Sequence, residues 1–136
     1  MKIFLDTSAL VSYYNEDDSS HGAACKVMNK FLTGEMPVTK FFISDYVLDE
    51  TVTVIECVLG RHDLAIEVGE ARRASPRTMM LRVDEPTFEA SWKLFRGMRG
   101  VSFTDCTSFV LIRSLGLQAA FTFDRHFGKA GIRTIP

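Results

Sequence analysis

The sequence predicts an α/β protein built on a parallel sheet. Short apolar segments that suit strands alternate with segments of helical periodicity, and this alternation is typical of strands joined by helical crossovers. Two predicted strands end in an aspartate, Asp6 and Asp124, at the strand end where open α/β sheets bind ligands. The chain has 136 residues, 46% of them hydrophobic, which suits one core. We therefore expect residues 1–136 to form a single domain.

The first half of the chain contains two predicted strands and three predicted helices. Glycines supply two of the stop signals, Gly34 after the second helix and Gly60 after the third. The third helix is predicted although its segment 51–55 also has strand propensity. In order, the elements are a strand over 2–5, helices over 8–14 and 20–32, a strand over 41–43 and a helix over 45–59.

The second half continues the alternation. Pro86 favours the first turn of one helix, and Gly116 closes the next. Trp92 lies on a predicted helix beside Leu94 and Phe95, so we expect it in the core. In order, the elements are a helix over 62–74, a strand over 79–83, helices over 86–97 and 104–115, and strands over 119–123 and 132–135.

Asp6 directly follows the apolar residues Ile3, Phe4 and Leu5 of the first predicted strand. A buried or half-buried carboxylate costs free energy unless a partner or a metal neutralises it. Its position at the carboxyl end of a strand therefore indicates an acid placed for chemistry. The alternative is that Asp6 caps the N-terminus of the following helix, a position that aspartate favours.

Two further aspartates occur in the last third of the chain. Asp105 lies at the start of a predicted helix, and Asp124 ends the strand over 119–123. Each has a structural alternative, because Ser102 and Asp105 have the spacing of a capping box and Asp124 can be a turn former. In a parallel sheet, however, all three aspartates would lie at one edge. We interpret their joint placement as a site.

These segments resemble the PIN-domain family of metal-dependent nucleases, in particular its small single-domain members, the VapC toxins. The resemblance extends from the first residues to about Phe127. It rests on Phe4–Ser8, on Ser102–Asp105 and on Thr122–Phe127. A further acid is expected on a helix between them, and Glu50 fits, although Asp45, Asp49 and Glu56 lie close by. The resemblance implies a three-layer α/β/α sandwich with a central parallel sheet.

The resemblance also implies the site and its chemistry. The catalytic residues would be Asp6, Glu50, Asp105 and Asp124, with Asp6 and Asp105 as metal ligands. Four carboxylates in one place repel each other, and a divalent cation removes that repulsion. Oxygen-only ligands favour Mg²⁺ or Mn²⁺ over zinc. The expected reaction is hydrolysis of a phosphodiester bond in RNA by metal-activated water.

Four hydroxyl residues near the acids are candidate supporting residues. They would orient a carboxylate or bind a metal-bound water. The alternative is that they only cap backbone amides. These residues are Thr7, Ser8, Thr104 and Thr122. Of the histidines, His126 follows Asp124 closely, but we expect it to be a surface residue.

Partners and rival functions follow from the same resemblance. A VapC-type toxin would have a cognate antitoxin that covers the acidic cleft, and the protein would form a homodimer. One rival is an aspartate-nucleophile phosphatase, but that family expects a second acid where Ser8 stands. The other rivals are an RNA-processing nuclease that is not a toxin and a non-catalytic interaction module with the same fold.

The net charge of −1 conceals an uneven distribution. The segment from Arg72 to Arg99 carries seven bases and three acids, a net charge of +4. This excess either contacts RNA phosphates or forms a solvated helix face.

The three cysteines, Cys25, Cys57 and Cys106, lack metal-ligand spacing. We expect them to be reduced core thiols of a cytoplasmic protein. We expect no signal peptide and no transmembrane segment, because the apolar start is short and Asp6 interrupts it.

Overall fold

A five-stranded parallel sheet forms the centre of the protein. The computed structural model describes all 136 residues, and the order of the strands across the sheet is β3-β2-β1-β4-β5. All four strand pairs are parallel, as the sequence predicts. The strands are β1 (Lys2–Leu5), β2 (Lys40–Ser44), β3 (Thr78–Leu81), β4 (Ala119–Phe121) and β5 (Thr134–Ile135).

Seven α-helices flank the sheet and give an α/β/α sandwich. Most end or begin at the residues that the sequence marks, such as Gly34 and Gly116, which adopt the left-handed conformation at helix C-termini. The helices are α1 (Thr7–Tyr14), α2 (His21–Thr33), α3 (Asp45–Thr53), α4 (His62–Ala74), α5 (Glu85–Gly97), α6 (Phe103–Leu115) and α7 (Arg125–Lys129). None of them is long and apolar enough to cross a membrane.

The central strand β1 determines where the site forms. Ile3, Phe4 and Leu5 are fully buried, because β1 lies between two other strands and is covered by helices. Its neighbour β4 is separated from it by more than 110 residues in the chain, yet Leu5 pairs in register with Phe121. The residues that follow these two strands, Asp6 and Thr122, are therefore adjacent in space.

Four predicted boundaries differ from the structure by two residues or more. The strand predicted over 79–83 ends at Leu81, and the strand predicted over 132–135 begins at Thr134. The predicted helix over 45–59 is divided, because α3 ends at Thr53 and a π-helical turn (Val54–Val58) follows. In that turn Ile55 is fully buried and packs in a small apolar cluster with Ala65 and Val68. The predicted strand over 119–123 ends at Phe121, and the short helix α7 was not predicted.

Two predictions of burial are wrong. Trp92 is 46% exposed and stacks on Phe95 instead of lying in the core. Cys57 is an exposed thiol on the π-helical turn, whereas Cys106 is buried as expected and Cys25 is half-buried. Both errors concern which face of a helix packs against the rest of the molecule, and the residue type alone does not decide that.

Candidate active site

The four predicted acids line one polar pocket at the carboxyl edge of the sheet. The pocket has a volume of about 540 Å³. Asp6 follows β1, Asp124 follows β4, Asp105 lies in the first turn of α6, and Glu50 projects from α3. Parallel pairing of β1 with β4 brings Asp6 and Asp124 together, since both follow the carboxyl ends of adjacent strands.

Asp6 combines the two roles that the sequence left open. It caps α1, because its Oδ2 accepts the backbone N–H of Ser8 at 3.3 Å, and it also lines the pocket. The same oxygen accepts the hydroxyls of Ser8 at 2.7 Å and Thr122 at 2.8 Å. Burial raises the pKa of Asp6, the hydroxyl donors oppose that rise, and the charge of Glu50 adds to it. All of these donors act on Oδ2, which leaves Oδ1 for a ligand.

Ser8 and Thr122 also connect the two strand ends. The Ser8 Oγ accepts the backbone N–H of Phe123 at 2.9 Å, and the Thr122 Oγ1 accepts that of Asp124 at 2.9 Å. Each hydroxyl therefore accepts a hydrogen bond from a backbone N–H of the loop after β4 and donates one to Asp6. This arrangement fixes the loop that carries Asp124 relative to Asp6.

Asp105 is the most perturbed acid of the pocket. It is only 7% exposed, and burial together with the charges of Asp6 and Asp124 raises the pKa of Asp105 to about 8. Its backbone N–H donates to Ser102 Oγ at 3.0 Å, so Ser102 caps α6. Its side chain shares a hydrogen bond with Asp124. Near neutral pH Asp105 therefore retains a proton.

Asp124 differs from Asp105 in its charge state. Burial disfavours its charged form, but the backbone and ring N–H groups of His126 and the hydrogen bond from Asp105 outweigh that cost. The pKa of Asp124 consequently lies below its ordinary value. The pair holds one proton and one negative charge, which is the expected state of two carboxyls in contact.

Glu50 is the acid of α3 that reaches the pocket. Asp49, the residue before it, is exposed on another face of the helix. Asp45 has a structural role, since its Oδ1 accepts the backbone N–H of Val83 at 3.0 Å. Glu56 is remote from the other acids and bonds His62 at 2.6 Å.

Thr7 supports α3 and does not bond Asp6. The Thr7 hydroxyl donates to the carbonyl of Val47 at 3.5 Å, and the Thr51 hydroxyl donates to Thr7 at 3.3 Å. These buried contacts join α1 to α3 beside Glu50. Thr104, by contrast, does not line the pocket, and only its carbonyl accepts hydrogen bonds from its own helix.

Two residues of this region, His126 and Asp18, were not predicted from the sequence to belong to the site. His126 is not a free surface residue, because its Nδ1 lies 2.7 Å from Asp124 Oδ1 and its side chain is 32% exposed. The spacing of Asp124 and His126 was a detectable signal. Asp18 lines the far rim of the pocket and accepts the hydroxyl of Ser12 at 3.1 Å, and nothing in its sequence context marked it.

The donor set suits a hard divalent cation. Ligand atoms of Asp105, Asp124 and His126 lie within 4.8 Å of one another, and Asp6 and Glu50 add carboxylates to the same pocket. Carboxylates in this number favour Mg²⁺ or Mn²⁺. Burial and the neighbouring carboxylates together raise the pKa of Asp105, so the site without a cation does not ionise completely near neutral pH.

Comparison with known proteins agrees with the geometry. Residues 3–132 match the PIN domain family. The chain is 31% identical over 134 residues to the 23S rRNA-specific endonuclease VapC20 of Mycobacterium tuberculosis, covering 95% of this chain and 94% of that protein. It superimposes on the crystal structure of VapC20, described as a sarcin-ricin loop cleaving toxin, with a TM-score of 0.83, at 31% identity over 96% of this chain and 95% of that one.

More distant structures share the fold alone. VapBC2 from Rickettsia felis, solved with a DNA fragment of its promoter, matches with a TM-score of 0.65 at 13% identity, over 99% of this chain and 98% of that one. FitAcB from Neisseria gonorrhoeae matches with a TM-score of 0.67 at 14% identity, over 98% of this chain and 96% of that one.

Proposed function

The chain belongs to the PIN-domain family, and from this premise we propose that it is a VapC-type toxin that hydrolyses phosphodiester bonds in RNA with Mg²⁺ or Mn²⁺. The activity is that of an endoribonuclease, as in VapC20. We assign this function to residues 1–136 as a single nuclease domain. The observation that carries the metal mechanism is the acidic pocket, where burial and the neighbouring carboxylates keep a proton on Asp105 near neutral pH.

Asp6 and Asp105 would hold the cation, with Asp124 beside them. The free Oδ1 of Asp6 supports this assignment, because the other oxygen is occupied by three donors. When bound, the cation would polarise the phosphate and lower the pKa of a water at the site. Asp105 would release the proton that it shares with Asp124, since a nearby positive charge favours the ionised form.

The remaining residues of the pocket orient these acids. Ser8 and Thr122 fix the Asp6 carboxylate, and Thr7 fixes α3 so that Glu50 faces the same space. We assign to Glu50 the orientation of the attacking water. Thr104 has no side-chain contact that supports a role at the pocket.

RNA is the proposed substrate, and the sarcin-ricin loop of 23S rRNA is the first RNA to test, because the VapC20 toxin cleaves it. Six of the seven bases in the segment from Arg72 to Arg99 are exposed, so they are available to contact phosphates. Only Arg72 is half-buried.

A cognate antitoxin and a second copy of the chain are the proposed partners. The antitoxin would cover the acidic pocket. The second copy would cover the exposed aromatic face of α5, where Phe88 is 39% and Trp92 46% exposed. Both rings pack edge-on against Phe103, two residues before Asp105. The cytoplasmic location expected from the sequence stays a prediction.

The test is cleavage of a labelled RNA hairpin with the sarcin-ricin sequence by the purified chain. We expect cleavage with Mg²⁺ or Mn²⁺, none in excess chelator, and none by the Asp6→Asn variant. Equal cleavage in excess chelator would refute the metal mechanism. Cleavage of no RNA, together with no growth arrest when the protein is produced in cells, would favour a non-catalytic interaction module.

A further inference from the structure

We propose that His126 is a positioning residue that holds Asp124 in the orientation required for cation binding. The inference rests on the proposed function, because it concerns the same acidic site. His126 would act through Asp124 and would not contact the RNA or the cation itself.

The geometry of one oxygen carries the proposal. Asp124 Oδ1 lies 2.8 Å from the backbone N–H of His126 and 2.7 Å from the Nδ1 of the same residue. An ionised carboxylate only accepts hydrogen bonds, so the ring must carry its proton on Nδ1. Two donors from one residue therefore fix Oδ1, and the other oxygen of Asp124 is left facing Asp105 and the pocket.

The backbone donor alone would not provide this orientation. Asp124 caps α7, a helix of only five residues, and one capping bond leaves the carboxylate free to rotate toward solvent. On the pocket side Asp124 is held by the proton that it shares with Asp105, and a cation at the site would displace that proton. The ring bond opposes that rotation. Partners of this kind behind a metal ligand typically change metal affinity by about 10–100-fold.

The chain contains a matched control for this contact. His62 Nδ1 lies 2.6 Å from Glu56 Oε2, so it forms the same type of histidine–carboxylate pair. That pair joins the π-helical turn, which contains Glu56, to the first residue of α4. Its histidine side chain is 70% exposed, and neither residue lines the acidic pocket. Loss of the His62 ring should therefore leave cation binding unchanged.

The experiment measures Mn²⁺ binding to the purified chain by isothermal titration calorimetry, without RNA. We expect His126→Phe to bind Mn²⁺ about 10–100-fold more weakly than the wild type. His126→Asn should bind within about 3-fold of the wild type, since its amide nitrogen can occupy the position of Nδ1 and donate to Asp124. His62→Phe should bind like the wild type, and metal-free melting curves should establish that each variant is folded.

Each outcome separates the inference from the proposed function. Wild-type affinity in His126→Phe would overturn the inference, as would equal weakening in His126→Asn, because the ring would then be a direct ligand. If the variants rank as expected but the wild type cleaves no RNA, only the proposed function fails. A wild-type chain that binds no Mn²⁺ would overturn both. Nitrogen chemical shifts of His126 in the metal-free protein test the Nδ1–H tautomer separately.

Discussion

The Asp105→Asn variant should make the metal-free protein more stable near neutral pH, although it should abolish activity. Burial and the charges of Asp6 and Asp124 raise the pKa of Asp105 to about 8 in the folded protein, against 3.8 for an unperturbed aspartate. The folded protein therefore keeps a proton that the unfolded chain releases. The contribution of Asp105 to the free energy of unfolding is greatest below pH 3.8 and decreases as pH rises toward 8.

The magnitude follows from the difference in pKa. Relative to low pH, this difference lowers the free energy of unfolding at pH 7 by at most about 4 kcal/mol, at about 1.36 kcal/mol per pKa unit. Asp105 lines a pocket that is open to solvent, so solvent screening reduces this value, and we expect about 2 kcal/mol. An asparagine has no proton to release, and its amide can still donate to Asp124. The variant should therefore melt about 7 °C higher than the wild type.

The assay is thermal unfolding in excess chelator near pH 4 and near pH 7, repeated with Mg²⁺. The advantage of Asp105→Asn should be small near pH 4, where folded Asp105 is protonated and the unfolded chain keeps this proton about half of the time. Mg²⁺ should stabilise the wild type more than the variant, because binding to the folded state raises stability by mass action. The control is Asp49→Asn, an exposed acid on α3, which should change melting little at either pH. A lower melting temperature for Asp105→Asn near pH 7, or an advantage independent of pH, would refute the reasoning and favour a capping role.

Two further predictions concern the helix α3 and the aromatic face of α5. Glu50→Gln should lower the rate of RNA cleavage by about 10²–10³-fold at saturating Mg²⁺, since it removes a group placed at the reacting atoms. Asp49→Asn should stay within a few-fold of the wild-type rate. The reverse order in a gel-based cleavage assay would contradict the assignment of Glu50. The double variant Phe88→Ala and Trp92→Ala should be a monomer in light scattering where the wild type is a dimer, and its Mn²⁺ affinity should be unchanged. A wild type that is monomeric at high concentration would contradict the proposed dimer surface.

The parallel sheet was predictable because short apolar segments alternate with helical ones, and the central strand carries three consecutive apolar residues. Residues such as Ile3, Phe4 and Leu5 need burial on both faces, and that requirement distinguishes a central parallel strand. The short helix α7 was not predictable from periodicity, since five residues do not complete two turns. The π-helical turn has no compositional signal either, because it depends on how Ile55 packs against α4.

The candidate site was predictable in its acids and less so in their environment. Asp6 and Asp124 follow apolar strands, and that pattern is visible in the sequence. The contact of His126 with Asp124 depends on the local turn after β4, and the opposite protonation of Asp105 and Asp124 depends on distances across the fold. Trp92 was misassigned because a helix with apolar residues on more than one face does not reveal which face the core covers.

The hydroxyl contact between Thr122 and Asp6 spans 116 residues of sequence, and this separation affects when activity can arise during synthesis. Contacts between distant parts of a chain form late in folding, because the intervening loop must close first. No nascent chain that stops short of Asp124 contains the complete acidic pocket, whatever part of β1 and α1 has already folded. A ribosome translating this message is therefore exposed to the nuclease only after nearly all of the described chain has been made.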